Sequence, residues 1–393
     1  MPLDERKKNL LKAIIDDYID TAEPVGSKAL VNKFHFNFSP ATVRNEMAEL
    51  EELGFLEQPH TSAGRIPSDK GYRAYVDSLL QIEEISAEEA GKIRHYMQDS
   101  LDELTGLIRK AANVLSDKTG YTSLALSPQL HHSHLQQIKI LMIEPGRALV
   151  VVVLSAGVVK DRLVRIPDIL DANQLMQIAS AIEEGLSGMT LDNITLVAVT
   201  AAAQNTRLPE SLLNQVLFEA YVAIKQADNL ELYLDGSHKL LSYPEFQDIR
   251  KAKDYLNALS RDGIIAGYMS ELKDPETETD SADLSDPNAG PDTPETAGAA
   301  SSASRIEAAG QKGQPSFMVR IGQEIMLEGL NDCSFVTTTY KMGERIIGRI
   351  GVIGPRRMTY GRVISNISFV KQTLNEQIRR IACGDDRMEG FEK

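Results

Sequence analysis

The stretch SPATVRNEMAELEELGFLEQPHTSAGRIPSDKGYR, from Ser39 to Arg73, predicts an α-helix followed by a β-hairpin. Ser39 has the residue type of a helix N-cap, Pro40 suits the first helical position, and Gly54 is a typical helix stop. Phe55 and the residue after it read as a short strand, and the segment SAGRIPS would return as its hairpin partner.

One face of the predicted helix is apolar, because Val43, Met47 and Leu50 recur at helical spacing and must pack on other helices. The opposite face of its first two turns is small, polar or cationic, and the acids lie towards the far end. A recognition helix uses its N-terminal residues at base edges, and its dipole favours phosphate there. A solvated amphipathic helix of an ordinary small bundle is the alternative.

The predicted hairpin is locally basic within an acidic chain. Between Pro59 and Arg73 three cations stand against one acid, a balance of +2, whereas the whole chain carries a formal net charge of −14. A hairpin beside a recognition helix is a wing, and a wing that contacts phosphates or a minor groove needs Arg or Lys near its tip. Arg65 is the best-placed candidate, and a plain connecting loop is the alternative.

Two more helical patterns precede this stretch, DERKKNLLKAIIDDYIDT and SKALVNKF, and Ser27 is a plausible N-cap of the second. Helix, helix, short turn, helix and hairpin is the order of a winged helix-turn-helix, which binds double-stranded DNA. The candidate DNA-contacting residues lie on the second helix, the recognition helix and the hairpin: Ser27, Lys28, Ser39, Ala41, Thr42, Arg44, Asn45, His60, Thr61, Arg65, Lys70 and Arg73.

The acidity of the chain is concentrated in one segment. From Asp274 to Ser304 there are eight acids and no Lys or Arg, so the rest of the chain carries −14 − (−8) = −6. No aromatic residue lies between Tyr268 and Phe317. Such a segment cannot bury enough apolar surface to offset its ordering entropy, so 273–315 is predicted to be a disordered insertion.

Length and composition predict a soluble, cytoplasmic protein of two or three domains. The chain has 393 residues, of which 42% are hydrophobic, and two cysteines, which is typical of free thiols in a reducing compartment. The N-terminus lacks the apolar run of a secretion signal. The longest apolar run, ALVVVVL at Ala148–Leu154, is far shorter than the roughly 20 residues of a membrane span.

Beyond residue 80 the patterns predict a linking helix and a mixed α/β region. The linking helix, 81–120, carries an apolar seam that fits a coiled coil and a core-facing helix equally well: Met97, Leu101, Leu104, Ile108, Ala111 and Leu115. Strand patterns occur early and late, with helical patterns between them. We therefore expect one mixed sheet interrupted by an inserted helical unit.

Residue patterns for other chemistry are weak. His131, His132 and His134 stand in a loop without nearby Cys or acidic partners, so we expect no metal site. The glycines at 348, 351 and 354 do not match a phosphate-binding motif. No nucleophile–base pair or paired carboxylates stand out, so the sequence predicts neither an enzyme nor a cofactor.

Three segments resemble the HrcA family of bacterial heat-inducible transcription repressors. They are EPVGSKAL, the Ser39–Arg73 stretch continued by AYVD, and IGVIGPRRMTY. The resemblance is dense over about 1–80 and looser but continuous beyond, except for the acidic segment, which looks like an addition to the family's usual length. It implies an α+β multidomain fold: an N-terminal winged helix-turn-helix (1–80), a linking helix (81–120), a GAF-like mixed α/β domain (121–166 and 228–393), and an inserted helical dimerisation domain (167–227).

The resemblance also implies a function. The protein would be a homodimeric negative regulator that binds an inverted-repeat operator, CIRCE, upstream of heat-shock chaperone operons. Its activity would depend on the GroE chaperonin as a partner. A ligand-responsive regulator that senses a small molecule in the GAF-like domain is the alternative, and an enzyme with an accessory DNA-binding domain is a third. Fold alone does not establish a ligand.

Overall fold

The computed structural model describes residues 3–60, 63–98, 104–130, 132–155, 158–204, 206, 208–272, 304–306, 317–343 and 345–383. Most of the predicted insertion, 273–315, therefore lies outside the described residues, as do Thr61 and Leu101. Within that predicted insertion, residues 304–306 form a strand, so the prediction of disorder is wrong for these three residues.

The N-terminal unit, residues 3–80, consists of short helices and a small antiparallel hairpin. Its elements are α1 (Glu5–Thr21), α2 (Ser27–Phe34), α3 (Pro40–Glu52), β1 (Leu56–Glu57), β2 (Ile66–Pro67) and α4 (Asp69–Ala74), which continues into a π-helical turn. Ser39 is the N-cap of α3, and its Oγ accepts the Thr42 N–H at 3.1 Å. The N-cap of α2 is Gly26, so the prediction that Ser27 caps this helix is wrong.

Helices α1, α2 and α3 pack together around a core of buried apolar side chains, which belongs to the same apolar cluster as the core of the rest of the described chain. Val43, Met47 and Leu50 of α3 are buried, as predicted, and pack with Leu11 of α1 and Leu30 of α2. Burying one such leucine contributes about 1.5–3 kcal/mol relative to leaving it exposed. This core fixes which face of α3 remains open to solvent.

The predicted linking helix is two helices, α5 (Ala87–Gln98) and α6 (Leu104–Thr119). They run antiparallel, because Lys118 near the end of α6 lies 3.7 Å from Glu89 near the start of α5. The seam residues Met97, Ile108 and Leu115 are buried, and both helices pack on the helix Tyr360–Cys383. The seam therefore faces the core of its own chain, which explains its spacing without a coiled coil.

The remaining elements alternate strands and helices. The strands are β3 (Thr122–Leu126), β4 (Leu135–Glu144), β5 (Arg147–Leu154), β6 (Val159–Arg165), β7 (Leu232–Asp235), β8 (Ser304–Ile306), β9 (Phe317–Ile321), β10 (Cys333–Met342) and β11 (Arg345–Pro355). The helices are α7 (Ala172–Leu186), α8 (Leu196–Ala202), α9 (Glu210–Gln226), α10 (Ile249–Leu259), α11 (Asp262–Glu271) and α12 (Tyr360–Cys383). No helix of the described segments is long and apolar enough to cross a membrane.

The strands form two separate larger sheets, so the prediction of one mixed sheet is wrong. The six-stranded sheet has the order β7-β3-β11-β10-β9-β8, and all of its neighbouring pairs are antiparallel. Within the described residues, the strands β4, β5 and β6 pair only with one another. They bury one face under α7 and α9, which completes a unit that needs no pairing with the six-stranded sheet.

Candidate DNA-binding surface

The first two turns of α3 present an open, polar face. Ala41, Arg44 and Asn45 are exposed, and the side chains of Arg44 and Asn45 have no hydrogen-bond or ion-pair partner within the described part of the chain. Thr42 is half-buried, and its hydroxyl lies 2.9 Å from that of Ser39. Arg44 and Asn45 are therefore available to groups outside the chain.

Two of the acids further along α3, Glu46 and Glu49, are paired with cations of α1. Glu46 lies 3.2 Å from Arg6 and 3.7 Å from Lys7, and Lys7 also lies 3.0 Å from Glu49. The hydrogen bond to Glu49 raises the pKa of Lys7, so the lysine stays charged throughout the physiological range. This pairing reduces the repulsion that the acids would exert on a polyanion at the other end of α3.

Arg65 lies at the base of the hairpin and not at its tip, so its predicted placement is wrong. Its backbone exchanges two hydrogen bonds of 2.9 Å with Val25, which precedes α2. Its Nε donates to Glu51 Oε2 at 2.8 Å, and a second guanidinium nitrogen lies 2.7 Å from the same oxygen. In the register of β1 with β2, Arg65 directly precedes β2. The guanidinium of Arg65 connects the hairpin to α3.

Two other predicted hairpin cations also have partners inside the chain. Lys70 donates to the carbonyl oxygen of Leu53 at 2.7 Å, which satisfies the C-terminal end of α3, and its ammonium lies over the Phe55 ring. Arg73 donates to the Val319 carbonyl oxygen at 2.8 Å and pairs with Glu324. Arg73 therefore faces the six-stranded sheet, and its predicted place on the hairpin's basic surface is wrong.

The other predicted DNA-contacting residues differ in how far their side chains are exposed. Lys28 on α2 and His60 in the hairpin loop are exposed, and Ser27 is half-buried. Sequence reasoning missed Glu51, because an acid on a helix flank gives no signal of its distant partner. The predicted residues that remain solvent-exposed are Lys28, Ser39, Ala41, Arg44, Asn45, His60 and Lys70.

Of the three histidines in the predicted loop, the structure describes His132 and His134. His132 lies 3.7 Å from Asp192, and both side chains are more than half exposed. Over the described residues no group of three or more His, Cys, Asp or Glu side chains is arranged to hold a metal ion. His131 lies outside those residues.

Comparison with solved structures supports the overall fold. A crystal structure described as that of a hypothetical protein covers 96% of this chain and 98% of its own, with a TM-score of 0.57 and 20% sequence identity. A likeness at this identity concerns the fold alone.

Comparison with families and curated relatives gives a closer relationship. Residues 105–364 match the family model of the HrcA protein C terminal domain. The heat-inducible transcription repressor HrcA of Ruminiclostridium cellulolyticum is 38% identical over 97% of this chain and 99% of the relative. The repressor of the same name from Acetivibrio thermocellus is 36% identical over 98% of this chain and 99% of the relative. Because the relatives span nearly the whole chain at this identity, the protein belongs to the HrcA family of heat-inducible transcription repressors.

Proposed function

We propose that this member of the HrcA family represses transcription as a homodimer, in which each α3 reads one half of an inverted-repeat operator in double-stranded DNA. The observation that carries the proposal is the exposed N-terminal half of α3, where Arg44 and Asn45 have no partner within the described residues. Arginine and asparagine are suited to bidentate contacts with guanine and adenine in the major groove.

The N-terminal unit supports a winged helix-turn-helix assignment. Helices α1, α2 and α3 share one core, and the β1–β2 hairpin follows α3 directly. The Arg65–Glu51 ion pair holds the hairpin beside α3, so we assign Arg65 to positioning the hairpin and not to gripping phosphate at its tip. Among the predicted residues that remain exposed, we assign Lys28 and His60 to contacts with the DNA backbone.

Replacing Arg44 or Asn45 with alanine is expected to weaken operator binding by about 1–3 kcal/mol, roughly 5- to 150-fold, if each side chain contacts a base edge. Asn45→Ala should leave binding to random DNA nearly unchanged, because asparagine contributes no charge to phosphate attraction. Fluorescence anisotropy with labelled operator and with random duplex measures both quantities at fixed salt.

Arg250→Ala is the matched control for Arg44→Ala, because Arg250 is an exposed arginine of α10 in a different part of the fold. It should lower operator affinity much less than Arg44→Ala does. If Arg44→Ala and Asn45→Ala weaken operator and random DNA by the same factor, α3 does not read bases.

A homodimer needs a surface that matches itself, and the open face of the β4–β5–β6 sheet offers one. This face, here called the open sheet face, carries apolar side chains: Leu141, Ile143, Leu149, Val151, Val153, Val159 and Leu163. Leu141, Leu149 and Leu163 lie side by side in the register of the three strands. A cluster of exposed and half-buried apolar side chains of this kind marks an interaction surface.

The occupant we assign to the open sheet face is a second copy of the chain. A two-fold axis along β5 would stack β4 of one copy on β6 of the other. The row Lys139, Val151 and Asp161 would then place the lysine of one copy opposite the aspartate of the other, although Lys139 also binds Glu183 at 2.9 Å. The inserted dimerisation unit would accordingly begin near residue 134, because β4 to β6 pack with α7 and α9.

The operator and the input signal are proposed from the family resemblance. We assign the operator to the CIRCE type of inverted repeat upstream of chaperone operons, and we assign the maintenance of the active form to the GroE chaperonin. The topology supports the second assignment, because the six-stranded sheet joins segments that are far apart in the chain. Tyr340, for example, donates to the carbonyl oxygen of Leu126, 214 residues away.

A further inference from the structure

The N-terminal unit is joined to the rest of the chain by ion pairs on one face of α4. Asp69 Oδ1 accepts a hydrogen bond from the guanidinium of Arg356 at 2.9 Å, and Asp69 Oδ2 accepts the Gln323 N–H at 3.2 Å. One turn further along α4, Arg73 pairs with Glu324 and donates to the Val319 carbonyl oxygen. These contacts, together called the joint, connect α4 to the six-stranded sheet.

Two attachment points fix the rotation of the N-terminal unit as well as its position. Asp69 and Arg73 are four residues apart, so their side chains lie on the same side of α4. An arginine bound to a carboxylate through more than one hydrogen bond holds a defined geometry, unlike a lysine pair. Arg356 is held in turn by Asp332 at 3.1 Å, so the partner of Asp69 is itself oriented.

The packing at the joint leaves little room for adjustment. A Cβ at Gly322 would lie 2.2 Å from Asp69 Oδ2, and the φ of Gly322 is +55°, so the backbone approaches the carboxylate as only glycine allows. Beside these polar contacts, the rings of Tyr72 and Tyr75 pack on Tyr360 of α12, with centroids 6.3 and 6.5 Å apart. The N-terminal unit is thus held in one orientation.

We propose that the joint sets the distance between the two operator half-sites that the dimer can bind together. Asp69 and Glu324 act as positioning residues: they orient α3 through the rest of the N-terminal unit. The inference rests on the proposed function, in which a dimer reads an inverted repeat. Because B-DNA turns once in about 10–10.5 base pairs, two rigidly held recognition helices fit half-sites at one spacing only.

The experiment compares wild type with the double variant Asp69→Asn, Glu324→Gln, which keeps the side-chain shapes and removes both negative charges. Binding is measured to a CIRCE-type inverted repeat, to repeats whose spacer is changed by about five base pairs, or half a turn, and to a single half-site. Wild type should lose about 100-fold in affinity on the altered spacers, because the second half-site is then out of reach.

The double variant should lose less than about 10-fold between the two spacers, because freely oriented units regain part of the avidity. Its affinity for a single half-site should equal that of wild type, which shows that α3 is intact. The control is Glu88→Gln with Asp117→Asn, which removes two charges from exposed pairs with Lys92 and Lys239. This control should keep the spacing preference of wild type.

Three outcomes overturn the inference: an unchanged spacing preference in the double variant, a matching loss of half-site affinity, or tighter binding with the same preference. The second would indicate damage to the N-terminal unit, and the third a joint that holds α3 away from DNA. If wild type binds a half-site no better than random DNA, the proposed function fails, and the inference fails with it.

Discussion

Replacing Leu141 and Leu163 together with aspartate is expected to convert the protein to a monomer and to lower operator affinity by about 100-fold or more. Both side chains are about half exposed on the open sheet face, at 51% and 49%, so the substitutions need not disturb the core of the chain. Buried in a dimer, the new carboxylates would lie close together without partners, which is strongly unfavourable. Sedimentation and operator binding measure the two effects.

Ile169→Asp with Val197→Asp is the matched control, because these side chains are even more exposed, at 74% and 78%, but do not lie on the strands of the sheet. The control should remain a dimer and bind the operator as wild type does. If the control dissociates and the Leu141, Leu163 variant does not, the dimer forms through the helical side of the inserted unit. The assignment of the open sheet face would then be wrong.

Refolding from denaturant is expected to recover several-fold more operator binding with GroE and ATP than without them. The physical reason is topology, because β11 pairs with β3 and places Ile350 opposite Ala125. The six-stranded sheet therefore cannot form before most of the chain is in place. Non-local pairing of this kind is slow and leaves apolar strands exposed to aggregation. In the proposed dimer, the open sheet face would add a further exposed apolar surface until the second copy binds.

The measurement is operator binding per mole of refolded protein, at the growth temperature and at a heat-shock temperature. GroE without ATP is the control, since it should hold the chain without releasing active protein. Complete recovery without chaperonin at both temperatures would contradict the proposed control by GroE. A loss of about 1–2 kcal/mol in stability changes the ratio of folded to unfolded protein by roughly 5- to 30-fold, so a modest rise in temperature is a sufficient input signal.

The sequence predicted the elements whose causes are local. The N-cap at Ser39, the apolar stripe of α3 and the turn at Gly54 depend on neighbours within a few residues, and all three are present. The division of this region into two antiparallel helices, α5 and α6, was missed, because the seam through Met97 and Leu115 is equally apolar in one long helix.

The roles of the hairpin cations could not be predicted, because their partners are remote in the chain. The Asp69–Arg356 hydrogen bond joins residues 287 apart, and the Arg73–Glu324 pair joins residues 251 apart. A glycine- and proline-rich loop that carries a cation has the same composition whether that cation binds phosphate or a distant carboxylate. Only the tertiary structure separates Arg73, which binds the six-stranded sheet, from Arg44, which faces solvent.

In the proposed complex, the N-terminal half of α3 lies against the bases of the operator. The most direct test places a photoreactive amino acid at Ala41, which is exposed on the first turn of α3, and irradiates the protein bound to a CIRCE-type duplex. Gln177, exposed on α7, is the control position. We expect crosslinks from position 41 to bases within both half-sites, lost on competition with unlabelled operator, and none from position 177. Equal crosslinking from both positions, or crosslinks from position 41 that random DNA competes away as well as operator does, would contradict the account.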